Sequence, residues 1–492
     1  MTEVERANEE PFDPYRRDAN KKYLSHSALI EYPHGLSAVT FRVCVTHDAH
    51  VLHQRQPRLM GIQVTGNFPE STKIIKRKEI IELFSSRDFG SFMNLVKSAA
   101  GAGLFAMPYA FASVGMILGV VGTLLMGVLI TVALHLLIIT HTRLCTEQRR
   151  RAIPYDQLVA ATVARGRLST NTARLVIDII MLICYIGIGA VYIIFVSGII
   201  QDLVDQGKTV GLAYYSLILF PLFLLLNMIR GLNAIAPVAI IGNVLIVVAA
   251  FIGVAYAVVK AESDWVFFQK DYQKYPKFLG TVFFALSSPA LALAIQQDMQ
   301  RPRHFTRKCG VLNWGMGFLI LLHLSVGIVG YAKYGSSVTG NFVQNHPILD
   351  TVTGIALGVQ ALAIFFSYGL QCYLPISILY KDYAVRSIQD RFLRGTPFLW
   401  SILIRVSVTL LTCILAASIP QLHVFASFVG ALCVATLGFI IPVMVYMISH
   451  YGEFGRFKWK LVLSIVFLIL GTLAMILGTI SSVKSMIDYL KE

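Results

Sequence analysis

Charged side chains are scarce in this chain: they make up 14% of its 492 residues, against 56% that are hydrophobic. A soluble protein of this length splits into several domains, each wrapped in a polar surface. This composition does not supply those surfaces. Acid is scarcer still, with 27 Asp and Glu against 42 Lys and Arg and a formal charge of +15. A basic excess often marks nucleic-acid binding. Here the bases fall between apolar runs rather than on a polar domain, so no nucleic-acid partner is expected. The seven cysteines show no C-x-x-C pair and no metal-ligand spacing, which argues against a disulfide framework or a metal centre. No nucleophile–base constellation or phosphate loop stands out, so neither enzymatic chemistry nor a cofactor is expected. The first residues are polar and of mixed charge, unlike a cleavable signal peptide.

What the chain does have is long apolar runs. About 20 apolar residues carry a helix across the ~30 Å hydrocarbon core of a bilayer. Only helices and closed barrels satisfy every backbone polar group in lipid, and these runs are too long for barrel strands. The expected fold is therefore all-α and polytopic. Eleven candidate spans cover residues 92–114, 116–140, 175–200, 212–228, 234–259, 278–295, 311–331, 351–378, 398–419, 424–448 and 461–480, numbered spans 1 to 11 below. Alternate loops are basic: Arg143, Arg149, Arg150, Arg151, Arg165, Arg167 and Arg174 follow span 2. Arg301, Arg303, Arg307 and Lys308 follow span 6, Lys381, Arg386, Arg391 and Arg394 follow span 8, and Arg456, Lys458 and Lys460 follow span 10. The opposite loops are poorer in bases or balance them with acids, as 260–277 does. The positive-inside rule then puts the N-terminus in the cytosol and the C-terminus outside. Residues 1–89 read as a largely disordered cytosolic tail, 90–483 as the transmembrane domain, and 484–492 as a short extracytosolic end. The basic amphipathic stretch 73–84 either lies on the anionic inner leaflet or simply flanks span 1.

Two spans are built to break. Span 1 carries Gly101 and Gly103 among small residues, with Pro108 just beyond. Gly costs about 1 kcal/mol in a helix interior and Pro about 3. Span 6 carries Ser287, Ser288 and Pro289. The two spans open successive five-helix sets, and interrupted segments at matching positions of two halves point to a transporter binding site. Unwound backbone at mid-membrane offers N–H groups to a carboxylate and carbonyls to an ammonium or a cation. An amino acid carries both groups. The other reading of the small residues is tight helix packing.

The same residues carry a family likeness. Segment 97–110 resembles the K-x-x-x-G-x-G-x-x-x-x-P-x-A signature of the amino acid/auxin permease family, and looks most like its proton-coupled amino-acid transporter branch. Segment 365–375, FFSYGLQCYLP, resembles that branch's eighth span. Gly280-Thr-Val-Phe-Phe-Ala285 with Met299 and Pro302 resembles its sixth. Arg174-Leu-Val-Ile-Asp178 with Val191-Tyr-Ile193 resembles its third. The likeness covers about 89–480 and implies a LeuT-type inverted repeat of five plus five helices with one extra span, carrying small neutral amino acids. The branch usually has a histidine where Asn94 stands, and an acid after the aromatic pair of span 6, where Leu286, Ser287 and Ser288 stand instead. Its asparagine and threonine beside the first glycine are Ala99 and Ala102 here, and its extracellular cysteine pair has no counterpart.

These readings fix the candidate residues. Substrate contacts are expected from Ser98, Gly101, Ala102, Gly103, Ser287 and Ser288, with Tyr185 and Tyr368 as further contacts or as packing residues. The coupling ion, if one is used, is a proton. Lys97 and His323 are its candidate carriers, since an ionisable group inside a bilayer is costly and functional by default. Lys97 alternatively snorkels, and His323, like His135, alternatively packs as a hydrogen-bonded core residue. Asp178 is expected to pair with Arg174 one turn away. The span count excludes a seven-helix receptor, and no filter-like repeat or charged ring suggests a channel. The expectation is a secondary transporter in the plasma or an endolysosomal membrane. An amino-acid sensor that keeps the fold without turnover is the alternative.

Overall fold

The computed structural model describes residues 23–29, 40–46, 62–63, 86–165, 169–205, 209–229, 232–259, 265–286, 289–299, 301–307, 309–347, 350–385, 397–419, 421–453 and 458–491. Within the N-terminal segment, strands Tyr23–Leu29, Thr40–Thr46 and Ile62–Gln63 form an antiparallel sheet in that order. The amphipathic stretch 73–84 lies outside the described residues, as does most of the expected tail.

Beyond residue 86 the chain is helical. Nine helices among the described residues are long and apolar enough to cross a membrane. They correspond to spans 2, 3 and 5 to 11. Spans 1 and 4 are present as shorter pieces. Span 1 is built from Ser86–Ala99, Ala102–Phe105 and Met107–Val114, and span 4 from Leu212–Ile218 and Phe220–Asn227. Proline at the start of Met107–Val114 (Pro108) and of Phe220–Asn227 (Pro221) explains two of these interruptions. A proline ring clashes with the carbonyl four residues back and offers no N–H, so it suits only a first turn.

Contacts across the loops show that the crossings alternate. On one face, Arg143 at the end of span 2 donates to Glu453 in the 10–11 loop at 2.9 Å. There, too, Gln297 at the end of span 6 donates to the Ile153 carbonyl at 2.9 Å. On the other face, Gly115 turns span 1 into span 2 at a φ of 91°, a conformation that L side chains rarely adopt. That turn is pinned to the 5–6 loop by Met116 N–H donating to the Val266 carbonyl at 3.0 Å. Gln344 of the 7–8 loop donates to Asp202 at the end of span 3 at 2.6 Å, and Lys484 beyond span 11 reaches Gln273 of the 5–6 loop at 3.3 Å. Loops of even and odd number thus gather on opposite faces.

Burial separates core from periphery. The apolar window of span 10 is 78% buried and that of span 3 is 67%, whereas that of span 11 is 28%. Spans 3, 5, 8 and 9 pack against one another, span 7 packs along span 1, and span 6 packs against span 10. Span 11 leans on spans 6 and 10 and leaves its other side exposed. Span 10 is itself irregular, with π-helical turns at Gly430–Val434 and Thr436–Ile440.

Candidate functional site

The helix of span 1 stops at Ala99 and restarts at Ala102. Gly101 between them is extended, at φ −137° and ψ −151°. The first N–H groups of a helix have no partner within it, and they carry partial positive charge. The break therefore presents donors in the middle of the protein, among residues that are all buried from Ala100 to Met107.

Each glycine at the break admits one neighbour. A side chain at Gly101 would strike the Tyr192 hydroxyl of span 3. At Gly103 a Cβ would lie 2.6 Å from the Ala285 Cα of span 6. Gly103 therefore brings the break of span 1 against span 6, at Ala285. Helices Tyr275–Leu286 and Pro289–Asp298 make up span 6 on either side of residues 287–288. Ser287 and Ser288 lie outside the described residues, and so do the side chains of Lys97 and Ser98.

Tyr192 was not among the expected contacts. Its hydroxyl covers the break, and the Gln371 side chain of span 8 hydrogen-bonds it. The signal was present in the Val191-Tyr-Ile193 likeness, but sequence alone did not say which face of span 3 it occupied.

The two expected tyrosines sit elsewhere. Tyr185 lies two turns along span 3 from Tyr192, beside Cys184 and Tyr155. The Tyr368 hydroxyl hydrogen-bonds Thr412 at 2.8 Å, and Asn227 reaches it at 3.5 Å. Asn227 also donates to Thr409 at 2.8 Å, and the Tyr368 ring packs on Phe223. Spans 4, 8 and 9 thereby share a buried polar cluster that occupies the Tyr368 hydroxyl. Neither tyrosine is brought to the Gly101–Gly103 break.

His323 is fully buried, and its Nδ1 hydrogen-bonds the Leu319 carbonyl at 2.7 Å. A carbonyl only accepts, so the proton sits on Nδ1 and the lone pair on Nε2. Among the described residues, that Nε2 has no hydrogen-bond partner. The His323 stripe of span 7 also bears Gly315, Gly327 and Gly330, which abut Leu95, Phe111 and Pro108 of span 1. By helical spacing, His323 stands between these contacts, level with the break. His135 makes the same bond to Thr131 at 2.9 Å but is only partly buried.

Asp178 is part of an ion-pair group, as its spacing suggested. Arg174 approaches Asp178 at 3.9 Å and Asp156 at 3.3 Å, while the Tyr383 hydroxyl donates to Asp178 at 2.9 Å. A second buried charge, Arg405 in span 9, was missed in the sequence. Its guanidinium donates to the Asn227 and Ile229 carbonyls at the end of span 4. There it supplies donors and positive charge to a helix C-terminus.

Residues 89–484 match the family model for transmembrane amino acid transporter proteins. The chain belongs to this family. It is an integral membrane protein and a secondary transporter of amino acids. It is 24% identical over 407 residues to the proton-coupled amino acid transporter-like protein pathetic of Drosophila melanogaster, covering 81% of this chain and 85% of that one. It is also 24% identical over 416 residues to the amino acid transporter AVT3C of Arabidopsis thaliana, covering 79% and 90%. Among solved structures, a Na+-coupled sialic acid symporter in a substrate-bound, outward-open state aligns at a TM-score of 0.50 and 11% identity. It covers 80% of this transporter and 89% of the symporter. That likeness concerns the fold, a LeuT-type arrangement.

Proposed function

We propose that this transporter carries small neutral amino acids and couples their movement to protons by alternating access around spans 1 and 6. The observation that carries the reading is the junction at Gly103, where the break in span 1 meets Ala285 of span 6. In this reading the substrate carboxylate sits on N–H groups from Gly101 to Gly103. The ammonium meets carbonyls and hydroxyls around Ser287 and Ser288. Small side chains at Ala100 and Ala102, with Tyr192 close by, suit a small apolar substituent. His323 is the proposed proton carrier, because its Nε2 is buried without a partner among the described residues and helical spacing sets the residue level with the break. The basic loops after spans 2, 6, 8 and 10 support a cytosolic N-terminus in a plasma or endolysosomal membrane.

Uptake of labelled alanine, glycine and proline into proteoliposomes, with and without an inward proton gradient, tests the reading. Gradient-stimulated uptake that His323→Gln abolishes is expected. Uptake indifferent to the gradient would remove proton coupling, and binding without uptake would identify a sensor.

A further inference from the structure

We propose that Cys184 and Cys433 are a redox-responsive pair, which a hydroperoxide converts to a disulfide that pins span 10 to span 3 and halts transport.

The two thiols come from different helices and interact with one another. Both residues are buried, at 2% and 5% exposure. The packing of spans 3 and 10 requires this meeting. The two helices run antiparallel, and a Cβ on Gly187 of span 3 would lie 3.0 Å from Val429 of span 10. Three residues back along span 3 and four onward along span 10 bring Cys184 opposite Cys433. One further turn onward along span 10, the Leu437 carbonyl accepts from the hydroxyl of Tyr155, in the 2–3 loop helix Tyr155–Val163, at 2.6 Å. Of the other described cysteines, the Cys145 sulfur meets His141 at 3.2 Å, Cys309 is exposed, and Cys372 and Cys413 lie near one another beside Tyr368.

Cys433 lies within the π-helical turn Gly430–Val434. Such a turn holds an extra residue and marks a place where a helix readily changes register. It gives span 10 the slack to move a sulfur to bonding distance, about 2.05 Å. A disulfide there would tie together helices on both sides of the break. Span 10 grips the first half of span 6 through the Ser427–Thr281 hydrogen bond at 2.8 Å and through Gly430, whose Cα faces the Gly280 carbonyl. Span 3 places Tyr192 over Gly101.

The chemistry balances with hydrogen peroxide as oxidant. One sulfur attacks a peroxide oxygen, the O–O bond breaks, and a sulfenic acid and one water form. The second thiol attacks the sulfenic sulfur, the S–O bond breaks, and a second water leaves with the remaining thiol proton. Two thiols and one peroxide thus give a disulfide and two waters. Peroxide is small and uncharged, so it enters an apolar interface closed to ionic oxidants. The adjacent thiol then captures the sulfenic acid at the high effective concentration of a neighbouring group.

The lock rests on the transporter reading, so the test separates the two. Purified full-length protein in proteoliposomes is treated with hydrogen peroxide, denatured, alkylated, digested and analysed by mass spectrometry, with alanine uptake followed in parallel. A Cys184–Cys433 linked peptide is expected, together with at least a tenfold loss of uptake that dithiothreitol reverses. C184S and C433A should retain uptake after peroxide. Both cysteines recovered alkylated after peroxide would overturn the pair. A linked peptide with undiminished uptake would overturn the lock, as would equal peroxide inhibition of C184S and C433A. Absence of uptake in the reduced protein would count against the transporter reading alone, because the linked peptide is read independently of uptake.

Discussion

At the residue scale, function concentrates where side chains are smallest. Gly101 and Gly103 hold a break because the Tyr192 hydroxyl and the span 6 backbone occupy the space a Cβ would need. Gly101→Val is expected to abolish alanine binding, measured by ligand-induced thermal stabilisation, while the protein still inserts and purifies as a single species. Tyr192→Phe removes one hydroxyl and no bulk. Loss of a single hydrogen bond of about 1 kcal/mol should weaken binding several-fold with little change in melting temperature. Arg405 makes the opposite demand. It is 8% exposed, and its guanidinium satisfies the carbonyls closing span 4. Arg405→Met should cost about 2 kcal/mol through carbonyls left without donors, read as a lower melting temperature in detergent. Gly101 was legible in the sequence because glycine pairs in an apolar run are conspicuous. Tyr192 and Arg405 were not, because only packing shows which carbonyls or glycines a long side chain reaches.

At the scale of elements, the 7–8 loop closes one face of the bundle. The Tyr334 hydroxyl hydrogen-bonds His346, and the Tyr256 ring packs on the same imidazole at 4.4 Å while its hydroxyl holds Asp350. Burial, reinforced by nearby Lys333, pushes the His346 imidazole down to about 4. Between about 6.5 and 4, therefore, the unfolded chain binds a proton there and the folded loop does not. The stability His346 confers is complete above about 6.5 and is lost as pH falls toward 4. Hydrogen exchange at 338–346 should accelerate over that window, and His346→Phe should flatten the response. Spans 6 and 10 meet more tightly still, with Gly430 against the Gly280 carbonyl. Gly430→Ala should force the helices apart and sharply reduce the yield of monodisperse protein. The sequence revealed most of these elements as apolar runs. It did not reveal the π-helical turns of span 10, the helix Tyr155–Val163 or the N-terminal strands, since none has a periodicity long enough to stand out.

At the scale of the whole molecule, topology is testable through one native thiol. Cys309 is exposed in the 6–7 loop, on the face proposed to be cytosolic. An impermeant maleimide should label Cys309 only after selective permeabilisation of the plasma membrane, with Cys309→Ser as the blank. Labelling in intact cells would reverse the orientation. The Glu453 carboxylate on the same face is held below its usual range by its hydrogen bonds from Arg143, and so keeps the 10–11 loop tied to span 2 at neutral pH.

The sequence by itself determined a helical membrane protein, the number and order of its spans and the place of the break in span 1. These follow from local properties: apolar run length, loop charge, and the cost of Gly and Pro within a helix. Only the tertiary structure decided what faces the break of span 1. It set Tyr192 over Gly101, put His323 level with it, withdrew Tyr368 into a separate cluster and joined Cys184 to Cys433. Those outcomes depend on helix rotation and register. In a bilayer, nearly every face of a helix is apolar, so the sequence pattern leaves rotation open until the helices pack.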